Sequence, residues 1–71
     1  MKGIRLGSLC LTNVDKEFKY GDKTHVIKRG TFVSVCDDTT ITKGYVLVEI
    51  EGFDTVFDYN LDELVLFENY L

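Results

Sequence analysis

Apolar and polar positions alternate along this chain in short stretches, with polar or glycine-containing segments between them. In Tyr45-Val46-Leu47-Val48-Glu49-Ile50, the residues Val46, Val48 and Ile50 share one side, the period of two that a pleated strand imposes. The same pattern predicts a first strand over residues 3–11, where Gly7-Ser8 sits at a change of phase and marks a bend or bulge. A second strand is expected over residues 31–36, opened by Lys28-Arg29-Gly30, a turn in which Gly30 can take positive φ. A tight connection at Glu51-Gly52 joins the third strand, 45–50, to a fourth over 54–59. Residues 12–25 have no steady period and read as a long loop or distorted hairpin, with Val14, Phe18 and Tyr20 available to turn inward.

The C-terminal stretch has two readings. Asn60 is placed to cap a helix, with Asp62 and Glu63 in its first turn and Glu63 at the capping-box position. The favoured reading is one helical turn over residues 61–63 and then a fifth strand over 64–67, because Val65-Leu66-Phe67 is β-prone. The alternative is an α+β chain with a C-terminal helix from Leu61 to about residue 70.

This order of elements resembles a Src-homology-3-like barrel. The matching parts are a strand after Gly7, a long first loop, and a strand opened by Lys28-Arg29-Gly30-Thr31. A second loop, a hairpin over Gly52, and a helical turn leading into Leu64-Val65-Leu66 complete them. The resemblance implies an all-β, five-stranded small barrel of the stand-alone bacterial or phage type, and protein binding as its work. Members that read polyproline helices use a tryptophan and a proline in an aromatic groove, and this chain has neither, although Tyr20 and Tyr59 fall where such a groove would lie. Lys28-Arg29-Gly30-Thr31-Phe32-Val33 is also similar to the KOW-type domains of ribosomal and transcription proteins, which carry a much shorter first loop.

Size and charge narrow the classes. A chain of 71 residues is one domain, with no disulfide framework or zinc-type ligand spacing to reinforce it. Cys10 and Cys36 are expected to be reduced thiols of a cytoplasmic protein, a disulfide between neighbouring strands being the alternative. Neither a membrane-spanning run nor a signal peptide is visible, and no cofactor or metal is expected. Residues 1–30 hold seven Lys or Arg against three acids, and residues 31–71 hold one Lys against nine acids.

Candidate chemistry follows from these positions. Catalysis is not expected, because the lone His25 lies in a polar loop far in sequence from Cys10 and Cys36, and the carboxylate pairs Asp37-Asp38 and Asp62-Glu63 read as turn and helix-start residues. Apolar residues on both sides of the third and fifth strands imply a second buried surface, covered either by the first loop and the tail or by a protein partner or a second copy. Tyr20, Tyr45, Leu47, Tyr59 and Phe67 are its candidate protein-binding residues, and size and apparent completeness suggest a small phage or accessory regulator directed at a host protein. The alternative is a nucleic-acid- or ribosome-associated domain using Lys16, Lys19, Lys23, Lys28 and Arg29, with Phe18 and Tyr20 interleaved. Weaker alternatives are a thiol enzyme and an acidic nucleic-acid mimic built on Asp37, Asp38, Glu49, Glu51, Asp54, Asp58, Asp62 and Glu63.

Overall fold

The computed structural model describes residues 3–67, and all of its longer elements are strands. They are β1 (Leu9–Thr12), β2 (Lys16–Tyr20), β3 (Lys23–Ile27), β4 (Phe32–Asp37), β5 (Tyr45–Glu49), β6 (Val56–Asn60) and β7 (Leu64–Leu66). Short 3-10 turns at Ile41–Lys43 and Leu61–Glu63 precede β5 and β7, and no α-helix occurs among the described residues. Five strands form an antiparallel sheet in the order β6-β5-β4-β1-β7, and β2 pairs with β3 as a separate hairpin. No ladder joins β6 to β7, so the hydrogen-bonded sheet is open between its two edges.

The core lies between the inner face of this sheet and the hairpin. Cys10, Val33, Val35, Val46, Val48, Phe57, Tyr59 and Leu64 come from the sheet, and Phe18 and Ile27 come from the hairpin. The period of two produces this directly, since alternate residues of β4, β5 and β6 are buried. Thr12, the one buried polar residue among those described, is satisfied on both sides: its hydroxyl donates to the Lys28 carbonyl (3.0 Å) and accepts from the Thr31 N–H (3.1 Å). It ties β1 to the connection between β3 and β4, where Gly30 has φ of 90° and donates its N–H to the Thr12 carbonyl.

One expectation needs correction, and two open alternatives are decided. The first strand begins at Leu9, because residues 5–8 close a turn at Gly7 (φ 87°) in which the Ser8 N–H reaches the Arg5 carbonyl. Of the two readings of residues 12–25, loop or distorted hairpin, the structure has the hairpin, and it is regular: β2 and β3 pair residue for residue from Lys16↔Ile27 to Tyr20↔Lys23. The longer C-terminal helix is replaced by the single turn and by β7, whose Leu64, Val65 and Leu66 pair with Thr12, Leu11 and Cys10. The turn carries the full capping box, with the Asn60 N–H donating to Glu63 Oε1 at 2.9 Å. The end of that longer helix, near residue 70, lies outside the described residues.

Candidate functional site: the outer face of the sheet

Register determines which side chains share the uncovered face. Leu11 on β1 stands opposite Phe32 on β4 and Val65 on β7, so these three form one row across three strands. In the next row Leu9 stands opposite Ser34, which stands opposite Glu49, which stands opposite Val56. Phe67 joins this row beside Leu9, donating its N–H to the Leu9 carbonyl at 2.9 Å, and its ring meets that of Phe32 edge-on at 5.2 Å between centroids. Leu9 and Leu11 are half-buried, whereas Phe32 is 51% and Val65 49% exposed. The pattern therefore leaves an apolar surface over β4, β1 and β7, on the side away from the core.

The hairpin does not cover this face. It lies on the inner side, where Phe18 packs against Phe57 (4.8 Å between centroids) and Tyr59 (5.5 Å). Of the alternatives for the second apolar face, covering by the first loop is thus not the one found. The hairpin has a single inward side of its own, and Phe18 and Ile27 spend it on the core. The residues of the tail lie outside the described region.

The five candidate protein-binding residues do not form one site. Tyr45 and Leu47 lie on the outer side of β5, half-buried, opposite Asn60 and Asp58. Phe67 belongs to the outer apolar rows. Tyr20 is exposed at the hairpin end, with its hydroxyl on the Val56 carbonyl (3.2 Å). Tyr59 is fully buried and presents no surface, which removes it as a binding residue. Its hydroxyl has no hydrogen-bond partner, and burial, helped by the Glu63 charge, pushes its pKa up to about 12. Sequence reasoning missed Leu9, Leu11, Phe32 and Val65 as a group. Each was legible as apolar, but only register puts them side by side.

The basic residues are dispersed. Lys16 faces inward, 2.7 Å from Glu63 Oε1 and 3.0 Å from the Asp58 carbonyl, with its ammonium 4.7 Å from the centroid of the Tyr59 ring. Its charge is committed to holding β2 against the turn before β7. Lys19 lies on the opposite side of the hairpin from Phe18, and Lys23 is at its tip. Lys28 and Arg29 follow the far end of β3, about 17 Å along the strand from Lys23, and the Arg29 N–H is tied to Asp15 (2.7 Å). The acidic ridge is broken too: Asp38 accepts the Leu6 N–H, Asp37 accepts from Thr39, and Glu63 is paired with Lys16.

The residues considered for catalysis are also apart. Cys10 is buried on the inner face, and Cys36 sits at the β-bulge of β4 with its thiol 3.6 Å from the Leu47 carbonyl. Both are free, and burial pushes both thiols up, that of Cys36 aided by Glu49 and Asp37, which disfavours the nucleophilic thiolate. His25 meets the rings of Phe53 and Phe57 edge-on and lies beside that of Tyr20. Among the described residues no three His, Cys, Asp or Glu gather as metal ligands, and no helix is long and apolar enough to cross a membrane.

No family model, no curated protein and no solved structure matches this chain.

Proposed function

We propose that the chain is a non-catalytic protein-interaction module of Src-homology-3-like architecture, and that it docks through the outer face of its five-stranded sheet. The architectural part is supported by the succession of parts: a strand after Gly7, a hairpin in the place of the long first loop, a strand after Gly30, and a helical turn into β7. The hairpin lying over the inner face gives the small sheet its second layer.

The docking part rests on one observation, the row of Val65, Leu11 and Phe32 flanked by Phe67 and Leu9. Single exposed apolar side chains are ordinary on any protein surface, but a contiguous set on one sheet face is the usual mark of an interface.

Phe32→Ser combined with Val65→Ser tests the proposal. Both side chains are half exposed, so the double variant is expected to fold with stability within about 1 kcal/mol of the parent. A protein bound stoichiometrically by the parent is expected to be lost. Retention of that protein by the variant overturns the assignment. A parent dimer in analytical ultracentrifugation that becomes monomeric in the variant moves the interface to a second copy.

A further inference from the structure

We infer that the partner segment docking on the outer face carries an arginine or lysine beside an apolar side chain, and that this cation enters the cavity at the β5–β6 connection. The inference rests on the docking reading above and specifies its chemistry.

The row that begins at Phe67 and Leu9 runs on through Ser34, Glu49 and Val56 to the other edge of the sheet. Its far half is not flat. Ser34, Glu49 and Val56, together with Glu51, Phe53 and Asp54 of the connection, line an open cavity of about 480 Å³. One face therefore changes from apolar at β1 and β7 to anionic at β5 and β6 with no break between.

Among the described residues the three carboxylates at the cavity have no counterion. Among the described residues the one ion pair is Lys16–Glu63, which lies on the inner side. No hydrogen bond of the described residues engages the side chain of Glu49, Glu51 or Asp54, unlike Asp37, Asp38 and Glu63. An anionic group would be repelled here, and a neutral one would leave the carboxylates unpaired. A guanidinium would meet them with charge-assisted hydrogen bonds.

Geometry sets the spacing in the partner. From Leu9 on β1 to Glu49 on β5 is two strand separations, about 9.5 Å. Same-side residues of an extended chain repeat about every 6.8 Å, and the long arginine side chain spans the remainder. The segment that fits is extended, with its apolar residue two positions from its cation.

The probes are two short peptides, acetyl-Phe-Thr-Arg-amide and its citrulline counterpart, which has nearly the same shape without the charge. Each is titrated into the ¹⁵N-labelled full chain and followed by amide chemical shifts. The arginine peptide is expected to shift amides of Leu9, Leu11 and Phe32 together with those of Ser34, Glu49 and 53–56. The citrulline peptide is expected to bind about tenfold more weakly, and Glu49→Gln with Asp54→Asn is expected to abolish that difference. Equal binding of the two peptides, with shifts along Leu9, Leu11 and Phe32, overturns the cation assignment and leaves the docking face standing. Failure of both peptides to shift any residue of the outer face overturns both.

Discussion

Glu63 shows how one side chain joins separate parts of the chain. Burial pushes its carboxyl up, but hydrogen bonds from the Lys16 ammonium and the Asn60 N–H, with the Lys16 charge, pull it below its ordinary value. A lowered carboxylate pKa is stability that is present above the ordinary carboxylate range and lost as pH falls through the folded value. Glu63→Gln is therefore expected to lower stability by about 1–2 kcal/mol at neutral pH, with the difference narrowing in acid, as urea denaturation at two pH values would read. Tyr59 is the opposite case, a buried hydroxyl without a partner. Tyr59→Phe removes a group whose desolvation is uncompensated and is expected to stabilise by about 1 kcal/mol. Because the folded phenol ionises only near about 12, its contribution is complete below the free tyrosine value and is lost as pH rises through that range. The variant should accordingly lose less stability than the parent in alkaline denaturation. The capping role of Asn60 and Glu63 was legible in the sequence because a capping box is local. The Lys16 partner was not, since 47 positions separate the pair.

Strands were legible wherever one face is buried against the core, as in β4 and β5. The hairpin was only half legible, for a physical reason. Only Phe18 and Ile27 of its ten residues are buried, so its alternation is carried by two inward positions among charged residues and the exposed Tyr20 and Val26. An element of that kind is held by a few contacts and should open before the sheet does. Phe18→Ala removes its main anchor on Phe57 and Tyr59 and is expected to cost about 3 kcal/mol. Amide hydrogen exchange is expected to rise across 16–27 while β4 and β5 remain protected. Equal loss of protection in all strands would show that the hairpin and sheet open as one unit.

The whole molecule separates two kinds of surface. Its inner side is closed by the hairpin, and its outer side carries an apolar half and an anionic half. The basic residues that pointed to nucleic acid do not gather on either one. Lys28→Ala with Arg29→Ala is therefore expected to leave retention on a nucleic-acid column unchanged and low at low salt. Steep, salt-dependent retention of the parent that this variant loses would restore the basic-loop reading.

The amino-acid sequence by itself determined the β character, the positions of most strands, the helical turn and its cap, and the presence of more apolar surface than one small core absorbs. Those properties are local, set by the period of two, by glycine and by side chains three residues apart. Only the tertiary structure decided which side the hairpin covers and which apolar residues stand together. Strand register also brought Val65, Leu11 and Phe32, far apart in the chain, into one row, and register is a relation between segments that no single stretch contains.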